Sequence, residues 1–195
     1  AQITVEDGGT LEVRAYLTWI TDNKVQTAWL RLDGGRLILP ATARSTGSTG
    51  TARLILDGGT LQCSGLASYA SATAPATTLA DYLYGVNELQ LGADGVTVDT
   101  GINAVTITQP LTMEAGSPTA AGFTKTGAGR LTLSGANTFD APVTVAAGTL
   151  ALSTLPSNHV AIASGAKLAF SPNSATTEFV ASADFAAGST LAVDC

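Results

Sequence analysis

Apolar residues along this chain recur in one short phrase: an apolar residue, a glycine-containing turn, then two apolar positions separated by one variable residue. The phrase occurs eight times, and its first apolar positions after the turn are Leu11, Leu37, Leu61, Val96, Leu131, Leu150, Leu168 and Leu191. Since alternate side chains of a strand face opposite sides, each phrase predicts a short strand with one apolar face.

The second apolar positions of the phrase extend the predicted core. We expect the interior to be built mainly from Leu11, Leu37, Leu61, Leu131, Leu133, Leu150, Leu152, Leu168 and Leu191. The residue between the two apolar positions is small or polar in every copy except at Ile38, so we expect it to face solvent.

The spacing of the turns indicates a repeat architecture. Successive turn glycines are 26 residues apart from Gly9 to Gly35 and 17 apart from Gly148 to Gly165. Units of this size lie within the solenoid range. We predict an all-β chain forming a single-stranded parallel β-helix over residues 1–195, as one domain or a segment of a longer chain. Eight coils at about 4.8 Å per coil give a rod roughly 35–40 Å long.

Two intervals interrupt the phrase. Residues near 42–51 are rich in Ser, Thr and Gly, which predicts a surface loop. Residues 64–89 form a longer insertion, in which the capping-box-like segment from Thr78 to Asp81 predicts a short helix or turn ending at Gly85. Between residues 14 and 30 the alternation predicts either a hairpin or two strands of the solenoid.

Charge excludes some function classes. Nine Lys and Arg residues against 15 Asp and Glu give a net charge of −6, and the basic residues are scattered singly. Binding to nucleic acid or to an anionic membrane surface needs a basic patch, so we expect neither. No apolar run approaches the roughly 18 residues of a membrane-spanning helix, so we expect no such segment.

One stretch carries a family resemblance. Its core is Lys125-Thr-Gly-Ala-Gly129, Leu131-Thr-Leu-Ser-Gly-Ala-Asn-Thr-Phe139 and Val145-Ala-Ala-Gly-Thr-Leu150. Residues 122–152 resemble the autotransporter-associated β-strand repeat of bacterial passenger domains, apart from the corner at Phe139-Asp-Ala-Pro-Val-Thr144. The resemblance implies a right-handed parallel β-helix, export, and a place outside the cell or on the bacterial surface. It implies no catalytic residues.

Three aspartates are the most suggestive candidates for chemistry. Asp7, Asp33 and Asp57 each precede a Gly-Gly pair, and stacked turns would place their carboxylates about 5 Å apart. Such a column suits Ca²⁺ binding, or acid and base catalysis on a polysaccharide. Asp in this position also caps the turn amides without any ligand, and we favour that interpretation.

The other candidates are weaker. His159 is the only histidine, and a Ser-His-Asp triad is conceivable because Ser and Asp are abundant, but no nucleophile-elbow motif occurs, which favours a loop histidine. The aromatic residues could either stack on sugars from the surface or fill the core, and we favour core filling; they are Trp19, Trp29, Tyr69, Tyr82 and Tyr84. Arg36 and Arg53 flank turns and are expected at the surface. Cys63 occupies an inward position about five coils from Cys195, so we predict no disulfide between them.

These observations favour a non-enzymatic, secreted or cell-surface β-solenoid that acts as an extended scaffold or adhesin. It needs no cofactor. Because a solenoid leaves unpaired strands at its ends, we expect association into a homo-oligomer or filament through those ends. The alternative is a β-helix that binds or cleaves a carbohydrate, with a glycan or another cell-surface ligand as its partner.

Overall fold

Short β-strands are the regular elements of the computed structural model, which describes residues 2–13, 17–19, 27–44, 50–64, 78–79, 81–117, 119–154, 159–170 and 182–193. In chain order the strands are β1 (Gln2–Val5), β2 (Thr10–Glu12), β3 (Leu17–Trp19), β4 (Thr27–Asp33), β5 (Arg36–Leu39), β6 (Thr42–Arg44), β7 (Thr51–Asp57), β8 (Thr60–Cys63), β9 (Thr78–Leu79), β10 (Glu88–Leu91), β11 (Val96–Asp99), β12 (Ala104–Ile107), β13 (Leu111–Met113), β14 (Phe123–Thr126), β15 (Arg130–Leu133), β16 (Val143–Val145), β17 (Thr149–Leu152), β18 (His159–Ile162), β19 (Lys167–Phe170), β20 (Ser182–Phe185) and β21 (Thr190–Val193). The predicted all-β class is confirmed.

Every strand pairing in the described residues is parallel, and the strands form three stacked sheets. Sheet A has the order β1-β4-β7-β10-β13, sheet B the order β2-β5-β8-β11-β14-β16-β18-β20, and sheet C the order β9-β12-β15-β17-β19-β21. A separate pair, β3-β6, belongs to the first two coils. The chain visits the sheets in turn and then starts the next coil. This confirms the predicted parallel β-solenoid, and the eight strands of sheet B count its eight coils.

The interior is formed by alternate residues of each strand, as the period of two requires. In sheet B one inward column runs through Leu37, Leu61, Val98, Lys125 and Val145. Seven of the nine predicted core leucines are at most 3% exposed: Leu37, Leu61, Leu131, Leu133, Leu150, Leu152 and Leu168. Leu11 is half-buried against the same core, in the first strand of sheet B.

Leu191 departs from the predicted core, since 47% of its surface is exposed. It lies on β21, which has a partner strand on one side only in the described sheet. Two positions predicted to face solvent depart in the other direction. Ala151 and Ala169 are 5% and 3% exposed, although they do not belong to the main interior cluster, so the outer face of sheet C is closed to solvent there.

The repeated phrase marks two different corners of the coil. In the first four coils it lies between sheets A and B, where Arg36 N–H donates to Gly9 O and Thr60 N–H to Gly35 O. In the last four it lies between sheets B and C, where Lys167 N–H donates to Gly148 O. The eight copies of the phrase therefore do not form a single column: Leu61 pairs with Val98, two residues beyond Val96, and Leu131 belongs to another sheet.

Two glycines show why successive turns need a residue without a side chain. A Cβ on Gly59 would overlap the carbonyl oxygen of Gly35 in the preceding coil, and a Cβ on Gly148, at the other corner, would overlap that of Gly129. Gly165 and Gly188 have more space, and what they share with Gly59 and Gly148 is a positive φ, which favours glycine at both corners.

The two predicted insertions are partly strand. Thr42–Arg44 forms β6 and Thr51 begins β7, so the loop prediction is wrong at both ends of 42–51, and residues 45–49 lie outside the described residues. Within 64–89, Thr78–Leu79 pairs with β12 as a strand and a turn covers residues 82–85, with no helix in the described part. Residues 65–77 lie outside it. The alternation around 14–30 belongs to β3 and β4, which pair with other coils and form no hairpin.

The coils differ in length along the stack. Register partners in sheet B are 24 residues apart from Leu37 to Leu61 and 37 from Leu61 to Val98, but only 17 from Val145 to Ile162 and 23 from Ile162 to Phe185. Within the described ranges sheet A ends at β13, and Asn137 takes the place of its next strand. The Asn137 Oδ1 accepts from Leu111 N–H at 2.9 Å, and Thr138 N–H donates to Leu111 O at 2.9 Å.

Candidate functional site

The repeated aspartates lie at the edge of sheet A, and two of them are in register. Asp33 pairs with Asp57 in neighbouring coils, whereas Asp7 lies one position further along, against Gly34. The predicted three-carboxylate column is therefore reduced to a pair. Asp57 accepts a turn amide, but from the next coil and not from its own turn as expected: its Oδ1 accepts the N–H of Asp94 at 2.9 Å, while Gly58 N–H donates to Gly95 O.

A single guanidinium bridges the acidic side chains of this edge. Arg31 binds the Asp57 carboxylate, donates to Glu114 Oε1 at 2.7 Å, and lies 3.9 Å from Asp33 Oδ2. The side chain thus links the second coil to the fifth. Its hydrogen bond to Glu114 raises the pKa of Arg31 above its ordinary value, and the charges of Asp57, Glu114 and Asp33 act in the same direction.

Gly92 leaves room for this bridge. It lies in the fourth coil, between Asp57 and Glu114, and a Cβ there would overlap the Asp57 carboxylate. In the described residues, no group of three His, Cys, Asp or Glu side chains is arranged to hold a metal ion. The cation next to Asp33 and Asp57 is Arg31. We call the ion-pair network of Arg31, Asp33, Asp57 and Glu114, which extends from the second coil to the fifth, the clasp.

A lysine lies inside the solenoid, at the start of the repeat segment, where the sequence pattern predicted no functional residue. Lys125 has no exposed surface, and its Nζ donates to Thr126 O at 2.6 Å, Gly127 O at 2.8 Å and Ala147 O at 3.2 Å. Burial lowers the pKa of Lys125 to about 8, while the charge of Asp99 acts in the opposite direction. The lysine ties two consecutive turns together at the corner of sheets B and C.

Cys63 and Tyr82 lie in the same interior. The Tyr82 hydroxyl donates to Leu39 O at 3.0 Å, and Cys63 is a free, buried thiol. Burial raises the pKa of Cys63 to about 12, so it behaves as the small hydrophobe that was predicted. Cys195 lies outside the described residues.

The remaining aromatic and basic candidates are dispersed. Tyr82 is fully buried, Trp29 is half-buried, and Tyr84 is 58% exposed. Tyr69 lies outside the described residues, and the Trp19 side chain is not described. Arg36 donates to Gln62 Oε1 at 2.5 Å at the surface, and Arg53 to Glu88 Oε2 at 2.5 Å. No row of aromatic rings is assembled in the described part.

His159 lies in a strand and not in the loop that was expected. It opens β18, directly opposite Ser182 of β20, and its ring lies between two outward side chains of that strand. His159 Nδ1 is 2.7 Å from Ser182 Oγ, and Nε2 is 3.4 Å from Asp184 Oδ2. The structure therefore brings together a Ser, a His and an Asp at the surface of the last two described coils, with His159 23 residues before Ser182 in the sequence.

Comparison with protein families gives one match. Residues 123–152 match the Passenger-associated-transport-repeat, which is typical of autotransporter passenger domains and indicates secretion to the outer surface or beyond. The match runs from the first residue of β14 to the last residue of β17. It confirms the resemblance noted in the sequence: these four strands, within a parallel β repeat fold, match a repeat that is typical of autotransporter passenger domains.

The matched segment contains three side chains whose roles the structure explains. Lys125 hydrogen-bonds the carbonyl oxygens of two successive turns, and Asn137 accepts the N–H of Leu111 in β13. Phe139 packs on Phe123 with ring centroids 5.5 Å apart. No curated protein and no solved structure matches the chain. Within the described ranges, no helix has the length and apolarity needed to cross a membrane.

Proposed function

We propose that this chain is a structural scaffold of a secreted, surface-exposed protein, which extends and displays the parts joined to it or carries an adhesive face. The observation that supports this role is the unbroken stack of eight parallel coils around one core. Each coil adds about 4.8 Å, so the eight strands of sheet B span about 34 Å. The role requires rigidity and no catalytic step.

The contacts between distant coils support a mechanical role. Arg31 joins the second, third and fifth coils through Asp57 and Glu114, and Lys125 joins the fifth and sixth through three carbonyl oxygens. Such contacts link residues up to 83 positions apart in sequence, so one coil cannot open without disturbing its neighbours. Contacts of this kind restrict the movement of one coil against another, which a rigid scaffold requires and a flexible tether does not.

The scaffold role is tested by displaying the chain on bacteria with an epitope at its far end. Antibody labelling of intact cells should be strong with the natural chain and with Thr132→Ala, an outward position. It should fall, and proteolysis should rise, when Leu133 and Leu150 are both changed to alanine, because the core of the stack is then lost. Labelling that is unaffected by the loss of the core would refute a rigid scaffold.

End-to-end association is the second part of the proposal. At the last described coil, Phe185, Leu191 and Val193 are 51%, 47% and 52% exposed, although their columns are buried in the preceding coils. At the first, Ile3 of β1 is 47% exposed. We propose that these surfaces meet in a head-to-tail homo-oligomer, in which strands of one copy continue the sheets of the next.

Light scattering across a concentration series tests the association. The natural chain should increase in mean mass with concentration, and Leu191→Asp should remain monomeric. Tyr84→Asp is the matched control, because Tyr84, at 58% against 47% for Leu191, is also an exposed large hydrophobic residue but lies away from both ends of the stack. A monomer at every concentration would contradict the association while leaving the scaffold role intact.

A further inference from the structure

We propose that Ser182, His159 and Asp184 form an acyl-transfer site on the outer face of sheet B, which acts on small, unhindered esters. The proposal rests on the juxtaposition of the three side chains across the seventh and eighth coils. It is independent of the scaffold role, since it uses outward residues that do not belong to the core.

The backbone places the three groups. His159 and Ser182 are register partners on neighbouring parallel strands, so both side chains leave the same face. Asp184 is two residues after Ser182 and therefore leaves that face as well. The imidazole can then contact both side chains of β20 at once, and the distances of 2.7 Å and 3.4 Å show that it does.

The chemistry of the partners assigns the tautomer. A carboxylate only accepts hydrogen bonds, so Nε2 carries the ring proton and donates to Asp184 Oδ2. In the neutral ring Nδ1 is then the acceptor for the Ser182 hydroxyl. Nucleophile, base and orienting carboxylate are thus connected in the order of a Ser-His-Asp triad, with the two ring nitrogens exchanged relative to the usual arrangement.

A backbone donor is available next to the nucleophile. Ala186 N–H donates to Ile162 O at 3.0 Å, and amide directions alternate along a strand, so the N–H of Ala183 points to the opposite side. β20 is the last strand of sheet B in the described part, and no described strand lies on that side. The N–H that follows a nucleophilic serine is a common oxyanion donor.

The proposed reaction has two steps. The Ser182 Oγ attacks the ester carbonyl carbon while its proton passes to His159 Nδ1, and the departing alkoxide takes that proton as its bond to carbon breaks. Water then attacks the acyl-serine by the same route and releases the carboxylic acid. Asp184 holds the ring and is a positioning residue. Since Ser182 and Asp184 are exposed and the face is open, only small acyl groups such as acetyl are expected to react.

Reaction with p-nitrophenyl acetate tests the site. The purified chain should release nitrophenol and become acetylated on the peptide that contains Ser182, as seen by mass spectrometry. Ser182→Ala should abolish that adduct, whereas Ser164→Ala, a change at an exposed serine of the same part of the chain, should not. His159→Gln should slow acylation by about 100-fold, the low end of the range for general-base catalysis.

The role of Asp184 is separated from a merely structural one by a pair of variants. Asp184→Asn should slow acylation without changing the thermal unfolding midpoint, and Asp184→Glu, which retains a carboxylate, should restore part of the rate. Equal hydrolysis by the natural chain and Ser182→Ala, or acetylation confined to histidine and lysine, would overturn the proposal. Neither result would affect the scaffold role.

Discussion

Lys125 shows how one residue can fasten the interior of a solenoid. An ammonium group inside an apolar core is unfavourable unless its hydrogen bonds are satisfied, and three carbonyl oxygens of two turns provide that satisfaction here. Lys125 is two residues after Phe123 in β14, so both side chains lie on the inward face of the strand. The alternation alone could have identified it as an inward lysine.

The pH dependence of stability should report on Lys125. Because burial lowers its pKa to about 8 from an ordinary value of 10.5, the unfolded chain binds more protons than the folded chain between these two pH values. The free energy of unfolding contributed by Lys125 therefore rises with pH across this window, by at most about 3 kcal/mol.

Denaturant unfolding of the natural chain and of Lys125→Met, at pH 7.5 and pH 10.5, checks this expectation. The difference in unfolding free energy between the two chains should shift in favour of the natural one at the higher pH. Titration of other groups, such as Cys63 and Tyr82, cancels to first order in that difference. A difference that is constant with pH would show that Lys125 keeps its ordinary pKa.

Gly92 is the second residue with a specific steric role. Replacing it by alanine should displace the Asp57 carboxylate from Arg31 and from the N–H of Asp94, and lower the unfolding free energy by about 2 kcal/mol. Gly122→Ala is the matched control, because a Cβ there meets only Pro142 O at 3.6 Å. Equal unfolding midpoints for the two variants in urea would contradict the clasp.

At the scale of a strand, replacement by alanine should lower the free energy of unfolding much more at inward positions than at outward ones. Leu133 of β15 is 1% exposed, and its replacement by alanine should cost about 2–5 kcal/mol. Replacing Thr132, the half-buried neighbour on the outer face, by alanine should lower the free energy of unfolding by about 0.5 kcal/mol or less. Chemical denaturation of both variants measures this, and similar losses at the two positions would mean that the strand is not two-sided.

The strands could be predicted from local pattern, but their assignment to sheets could not. The glycine phrase before Leu61 and the one before Leu131 look alike because both corners stack one turn on the next. Only the long-range register shows that the first leads into sheet B and the second into sheet C. For the same reason β6 was mistaken for a loop, since Thr42–Arg44 acquires its strand character by pairing with β3.

The candidate site was predictable only in its parts. His159 could be identified as the only histidine, but nothing local connects it with Ser182, which becomes its neighbour because one coil separates them. The aspartates before Gly-Gly were expected to bond their own turns, whereas Asp57 accepts the N–H of Asp94 in the turn of the next coil. Their bridge to Glu114 through Arg31 depends on the stacking of four coils, which no local spacing encodes.

At the scale of the whole molecule, the described part of the stack goes from three sheets to two. Sheet A stops at β13, where Asn137 satisfies the Leu111 amide, and the described residues of the following coils contain strands of sheets B and C only. Sheet B has one strand in each of the eight coils, so its stacking direction defines the long axis of the solenoid. An outward column at Thr10, Arg36, Thr60, Thr97, Thr124, Thr144 and Ala161 marks successive coils along it.

Distances along this column test the parallel stack most directly. With Cys63 and Cys195 replaced by alanine, spin labels are attached in pairs at Thr60 and Ala161, four coils apart, and at Thr10 and Ala161, six coils apart. Pulsed electron paramagnetic resonance should give about 19 Å and about 29 Å, in proportion to the number of coils at about 4.8 Å each. Distances that do not increase with the number of coils would contradict the stack.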